Sequence, residues 1–345
     1  MADYLKLQKK IAPKLVKVVE RRYAILRLIH RSQPIGRRSL SQSLDLSERT
    51  IRKHLTFLSD HKFVAVTSSG AIITRSGERI LRELDVYIKD LRGTNLLEER
   101  LKVFLGVEVK VVPTGLNQNF GKEELGRFAA DLLKSLITYG DIIAVTGGTT
   151  LSNVAEMMTP VSGKFDITVV PARGGLGEGV EIQANTIAAK IASQFGGEYH
   201  LLHTPDNLKA ETIYTLIKEP SIKKVLDLAK NADVLIHGIG TAEVMAKRRG
   251  MPAEKIEELK SKGAVGETFG YYFNQNGGIV YSTTSVGLKL SDLSKINKVI
   301  AVAGGQDKAK AILASVSKKY QDLLIIDERA AKGILELVDV EKNKD

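Results

Sequence analysis

From Leu96 onward the chain alternates short apolar runs with helical patterns, and glycine collects where the apolar runs end. No other feature narrows the possible folds as much. Strand readings fall at Val107–Val112, Asp141–Val145, Asp166–Val170, Tyr199–His203, Asp233–His237, Lys298–Val302 and Asp322–Ile326. Helices fit between most of them, notably over 122–138, 181–194 and 307–316. Near-continuous apolar strands separated by helices predict an α/β fold: a doubly wound, mostly parallel sheet covered on both faces.

In such sheets ligands bind beyond the carboxyl ends of the strands. Four glycine turns fall there: Thr146-Gly147-Gly148-Thr149-Thr150, Pro171 to Gly177, Gly238-Ile239-Gly240, and Gly304-Gly305 running into Lys308. The first suits a phosphate. Glycine lets the backbone approach, threonine hydroxyls donate, and the next helix offers its first N–H groups. The same run also reads as a tight strand-to-helix turn, and it matches neither the P-loop nor the dinucleotide spacing. Arg173 and Lys308 add cations at the same rim, which favours an anionic ligand. Gln183, opening a helix, and Glu267, before an aromatic run, could read sugar hydroxyls or lie on the surface. His200 and His203 fall in a strand reading with no third ligand, and His237 reads as a buried, hydrogen-bonded histidine. No metal site is expected. No nucleophile and base stand at a recognisable spacing.

The first quarter of the chain is of a different kind. Residues 1–80 hold 17 Lys and Arg against 6 Asp and Glu, which is all of the net +11; the rest balances to zero. A basic module joined to a neutral body points to a polyanion, here double-stranded DNA. Leu15, Val18, Val19, Tyr23, Leu26 and Ile29 mark one face of a helix over 13–30. A second helix runs from about Arg38 to Leu44, and Ser47 caps a third whose Ile51, Leu55 and Leu58 form a buried stripe. Arg49, Thr50, Arg52, Lys53 and Thr56 then project outward. That is a helix-turn-helix with a basic recognition helix, and Arg37, Arg38 and Ser47 join Arg49, Thr50, Arg52 and Lys53 as candidate DNA contacts. Two short apolar runs around Thr67–Gly70 predict a wing. A helix over 77–92 spaces Leu81, Leu84, Ile88 and Leu91 like a heptad, as a linker packed on its own domain or as a dimer contact. The domain boundary is placed at Gly93, giving a DNA-binding module over 1–93 and a ligand-binding and oligomerisation domain over 94–345.

The absence of cysteine excludes disulfides, thiolate metal sites and cysteine nucleophiles. No apolar run approaches the roughly 18 residues of a membrane span, and no signal peptide is recognisable, so no membrane partner and a cytoplasmic location are expected.

The stretches Pro34 to Leu40, Leu46 to Arg49, Ala144 to Thr150, Val154 to Met158, Pro171 to Gly177, Gln183 to Thr186, His237 to Gly240, Phe269 to Asn274 and Ala301 to Gly305 follow one another through nearly the whole chain. Together they resemble the central glycolytic genes regulator family, within the SorC/DeoR-type sugar-responsive repressors. The resemblance implies a transcriptional repressor and no enzyme, with a body related to phosphosugar isomerases and deaminases. The implied effector is fructose 1,6-bisphosphate, with no cofactor, and the implied assembly is a tetramer on operator DNA. By motif, Gly147, Gly148, Thr149, Thr150 and Lys308 would hold one phosphate, and Arg173 and Gln183 the other end of the ligand. Glu267 would take the sugar hydroxyls, and Arg248 would couple the site to a neighbouring subunit. The family leads one to expect Asp-Glu-Gly near the C-terminus, where this chain has Asp327-Glu328-Arg329. The competing class is a phosphosugar isomerase or deaminase with an accessory DNA-binding head, for which Glu267 or Asp327 would be the base.

Overall fold

The structure, a computed structural model, describes residues 2–114, 118–161, 163, 165–175, 179–206, 208–316 and 320–342. Leu176 and Gly177 of the second glycine turn lie outside them. The chain divides into two compact units, Met1–Leu97 with Pro113–Glu124, and Glu98–Val112 with Leu125–Asp345.

The first unit contains α1 (Ala2–Ile11), α2 (Pro13–Ser32), α3 (Arg37–Leu44), α4 (Glu48–Asp60), the antiparallel hairpin β1 (Val64–Thr67) and β2 (Gly70–Ile73), and α5 (Arg75–Arg92). This is a winged helix-turn-helix. Asp45 ends α3 in the left-handed region (φ 51°), which lets the chain turn sharply into α4. The Ser47 hydroxyl accepts the Thr50 N–H (3.2 Å) and caps α4 as expected. Ile51, Leu55 and Leu58 of α4 join Tyr23, Leu26 and Ile29 of α2 in one core. Two expectations shift. Leu15 is 62% exposed, and its neighbour Val16 takes the buried place. On α5, Leu81, Ile88 and Leu91 belong to the unit's own core, so that stripe serves the domain itself.

The second unit is built on seven parallel strands: β3 (Glu108–Val112), β4 (Ile142–Val145), β5 (Thr168–Pro171), β6 (Glu198–Tyr199), β7 (Val234–Gly238), β12 (Lys298–Ala303) and β13 (Leu323–Asp327). Their order is β3-β13-β12-β7-β4-β5-β6. Side chains alternate between the faces, as a strand requires. Ile143 and Val145 of β4, Ile236 of β7 and Val302 of β12 meet one layer, with α7 (Gln118–Leu136), α8 (Thr149–Met157) and α9 (Ala184–Phe195). Ala144, Leu235 and Val299 meet the other, with α11 (Pro220–Lys230) and α14 (Ala309–Val316). The remaining helices are α6 (Thr94–Leu105), α10 (Ala210–Leu216), α12 (Ala242–Arg248), α13 (Ala253–Ser261) and α15 (Glu328–Lys342).

The seventh strand corrects the sequence reading. Tyr199–His203 was expected, yet β6 covers only Glu198–Tyr199. The Asn185 side chain accepts the Leu202 N–H (2.9 Å) and donates to the Leu202 carbonyl (3.2 Å), so an amide takes the groups a ladder would need. A second sheet was not anticipated at all. β8 (Gly240–Thr241), β9 (Ala264–Thr268), β10 (Tyr271–Asn274) and β11 (Ile279–Ser282) form an antiparallel sheet in the order β11-β10-β9-β8. The Asp327-Glu328-Arg329 departure is accommodated without strain. The chain passes from β13 into α15, where residue 329 is helical and needs no glycine.

Candidate functional site

The order of the large sheet fixes where a site can form. From β4 the chain winds outward through β5 to β6, then returns to place β7 on the other side of β4 and winds outward the opposite way. Loops leaving β4 and β7 therefore part in opposite directions and open a crevice, the switch point at which such sheets bind ligands. A cavity of about 180 Å³ lies there. Gly147, Gly148, Thr149, Thr150, Arg173, Gln183, Arg248, Glu267 and Lys308 all line it.

One end is made of backbone. The Thr146 hydroxyl accepts the Gly238 N–H (3.3 Å) and ties the β4 and β7 loops together. Gly148 precedes α8 at φ 119°, a conformation nearly reserved for glycine. At Gly147 a Cβ would stand 2.8 Å from the Ile182 carbonyl oxygen, so the turn also needs glycine for close packing. The N–H groups of the first turn of α8 have no acceptor within the helix and carry its positive dipole end, which suits an anion. Lys308 stands at the same cavity, its Nζ donating to the Ile239 carbonyl (3.2 Å). Gln183 occupies the N-cap position of α9 without a side-chain capping bond, and its side-chain oxygen lies close to Gly175.

The other end is a chain of buried charges. Arg173 donates to Asp206 Oδ1 (2.9 Å) and to the Thr283 hydroxyl (3.0 Å). Arg249 donates from Nε to Asp206 Oδ2 (2.9 Å), from NH2 to Glu267 Oε1 (2.9 Å) and from NH1 to the Tyr272 hydroxyl (3.2 Å). Glu267 Oε1 also accepts the Gly270 N–H. Burial alone would raise the Asp206 carboxyl, but the two guanidinium groups hold it below its ordinary range. The Glu267 end is aimed by the two-residue turn between β9 and β10, with Phe269 at φ 52° and Gly270 at φ 76°. A bulky residue in that region is uncommon and marks a turn held by its surroundings. At Gly270 a Cβ would fall 2.4 Å from an Arg173 nitrogen.

Sequence reasoning did not anticipate Asp206, Arg249 or Asp307 in this lining. Arg249 follows Arg248 at the end of α12, and one helical step decides which of the two turns into the network. Asp206 sits in a segment held by two isolated bridges, with no periodic pattern to reveal it. Of the two carboxylates considered as a base, Asp327 lies outside the lining. It accepts the Gly305 N–H (3.0 Å) and the Ala330 N–H (2.8 Å), capping α15. His237 is fully buried beside Phe269, its Nδ1 3.0 Å from the Thr268 hydroxyl, and burial lowers it to about 4. Among the described residues no group of side chains is arranged to hold a metal ion, and no helix is long and apolar enough to cross a membrane.

In the first unit, Arg37, Arg38, Arg49, Arg52 and Lys53 are all exposed, Ser47 is exposed with its hydroxyl engaged in the cap, and Thr50 is half-buried. None of the five cations forms an ion pair among the described residues. The cations stand exposed on two successive helices, α3 and α4.

Comparison with known proteins agrees with this division. The CggR N-terminal DNA binding domain family matches residues 18–88, and the Sugar-bind family, a sugar-binding domain, matches residues 89–336. The chain is 46% identical over 338 residues to the Central glycolytic genes regulator of Priestia megaterium, covering 97% of this chain and 99% of that one. It is 43% identical to the protein of the same name from Bacillus subtilis, with the same coverage. Among solved structures, a SorC family transcriptional regulator from Enterococcus faecalis superposes with a TM-score of 0.65 at 40% identity, over 70% of this chain and 99% of that one.

Proposed function

The chain belongs to the central glycolytic genes regulators of the SorC family, and from that membership we propose that it represses glycolytic genes by holding operator DNA until a phosphorylated sugar fills its cavity. Fructose 1,6-bisphosphate is the effector that fits this reading. Residues 1–93 act as the DNA-binding module, and residues 94–345 bind the effector and assemble the protein, as a tetramer on DNA, in the cytoplasm. Arg49, Arg52 and Lys53 enter the major groove, while Arg37, Arg38, Ser47 and Thr50 hold phosphates.

The observation that carries the proposal is that nine residues from six separate stretches of the chain line one cavity at the switch point of the sheet. Gly147, Gly148, Thr149, Thr150 and Lys308 take one phosphate on the N-terminus of α8. Arg173 and Gln183 face the other end of the ligand, and Glu267 accepts hydroxyls. Arg248 links the site to a neighbouring subunit. A sensor without turnover is supported by the carboxylates. Asp327 caps a helix outside the lining, and Glu267 Oε1 is tied up by Arg249 and Gly270.

The test is a titration of operator DNA at fixed salt with and without fructose 1,6-bisphosphate, with fructose 6-phosphate as control. The bisphosphate should weaken DNA binding at least tenfold more than the monophosphate. An equal response to both sugars, or none, contradicts the proposal.

A further inference from the structure

The two ends of the cavity treat an anion differently. At the α8 end, backbone N–H groups and Lys308 face the space. At the far end the obvious cations are already occupied. The Asp206 carboxylate spans two guanidinium groups, one oxygen 2.9 Å from Arg173 and the other 2.9 Å from Arg249. The side chains are 6%, 10% and 5% exposed for Asp206, Arg173 and Arg249, so the seat is dry. Guanidinium groups match the paired oxygens of a phosphate as they match those of a carboxylate.

We propose that Asp206 is a built-in competitor for the second anionic group of the ligand and thereby sets the affinity of the cavity. A phosphate arriving between Arg173 and Arg249 replaces the carboxylate and inherits both guanidinium groups. This rests on reading the cavity as a phosphate site.

The charges of the lining agree. Four cations, Arg173, Arg248, Arg249 and Lys308, face three carboxylates, Asp206, Glu267 and Asp307. With Asp206 seated the formal surplus is a single positive charge. That falls short of one phosphate, at about −1.5 to −2, and further short of two. Moving one carboxylate away raises the surplus for the second. Asp206 can yield because its segment belongs to no helix or strand of the large sheet. Two isolated bridges hold it, Pro205 against Gly175 and Asp206 against Ser285. The arginines are fixed more firmly. Thr283 and the turn at Gly270 brace Arg173, and Glu267 and Tyr272 brace Arg249.

The experiment uses the full chain and two variants, Asp206→Asn and Asp206→Ala, with inorganic phosphate as the first probe. By calorimetry the unmodified protein should bind one phosphate tightly enough to measure, and each variant should gain a second site or at least tenfold in affinity. Thermal unfolding reads the same property independently. Both variants should melt lower in anion-free buffer and be restored by phosphate more than the unmodified protein is. Fructose 1,6-bisphosphate should bind each variant at least tenfold more tightly, with fructose 6-phosphate nearly unchanged. Unchanged phosphate and bisphosphate binding in both variants, or loss of bisphosphate binding, overturns the role of Asp206. A phosphate gain in the variants without any bisphosphate binding to the unmodified protein would instead uphold Asp206 and reject the effector.

Discussion

The recognition helix and the cavity both present arginine and lysine, but in opposite states. On α3 and α4 the cations Arg37, Arg38, Arg49, Arg52 and Lys53 stand in water without acidic partners among the described residues. In the cavity Arg173 and Arg249 are buried, and each is bound to at least one carboxylate. The difference follows from the partner each awaits. A DNA duplex is a long row of charge, so loose, hydrated cations gain by releasing its counterions and need no fixed geometry until they reach a base. A small ligand offers one or two anions. Holding it requires dry, oriented donors, and dry cations need counter-charges while the site is empty.

Four measurements could break or sharpen that contrast. The largest effect is ionic strength. If the exposed face meets six to ten phosphates, operator affinity should fall by about 10³–10⁵ between 50 and 200 mM salt. Sugar bisphosphate binding should change less than about tenfold over the same range, because buried pairs are poorly screened. Parallel salt slopes for the two ligands would erase the distinction.

Next is stability. Arg249→Ala leaves the buried Glu267 without its cation and Asp206 with Arg173 alone, and should cost about 3–5 kcal/mol in denaturant unfolding. Arg52→Ala, in open water, should stay within about 0.5 kcal/mol. Equal costs would mean that the network is as loosely held as the surface.

Third is acid. His237 is held at about 4, below its ordinary 6.5. Between those values the unfolded chain takes up a proton that the folded chain refuses, so stability falls as pH drops through that window and levels off below it. From pH 7 to 4.5 the contribution is about 2–3 kcal/mol, read as the difference between the unmodified protein and His237→Gln. In the first unit His54 is also lowered, by burial and then by Arg22, Arg21 and Lys53, so His54→Gln should change the pH dependence with the same sign. An opposite sign at either histidine would mean that it is charged when folded.

The smallest effect is Thr149→Ala. Losing one donor to a phosphate should weaken the effector by about 1–2 kcal/mol, roughly tenfold. Operator binding without effector should not change. A variant that loses DNA binding as well would show that the loop supports more than a ligand.

The same contrast governs what could be read from the chain. The winged head was legible because helix periodicity and a capping serine are local, and so were the glycine turns, since strand ends are marked by the residues that leave them. Six of the seven parallel strands were found near their observed limits for the same reason. The antiparallel β8–β11 sheet was not, because β8 is two residues long and begins inside the turn Gly238-Ile239-Gly240, and β9, β10 and β11 follow one another without the intervening helices that mark the strands of the large sheet. Asp206 and Arg249 were missed because a charge pair joins segments 43 residues apart and leaves no spacing behind. Leu15 and Val16 differ by one step of a helix, about 100°, which periodicity over an apolar-rich stretch does not resolve.

The order of the large sheet also sets a sequence of events at the ribosome. β3 pairs only with β13, so the first strand of the sheet waits for the last before its one ladder closes. The hairpin and helices of the head depend on contacts made before Leu97 leaves the exit tunnel, apart from the short segment Pro113–Glu124. At roughly 5–20 residues per second, about 10–50 s separate that moment from the emergence of β13. A nascent chain thus exposes its DNA-reading surface while it has no completed cavity with which to respond. Pulse proteolysis of arrested chains ending near residue 150 would find the helices of the head protected and β3 open to cleavage.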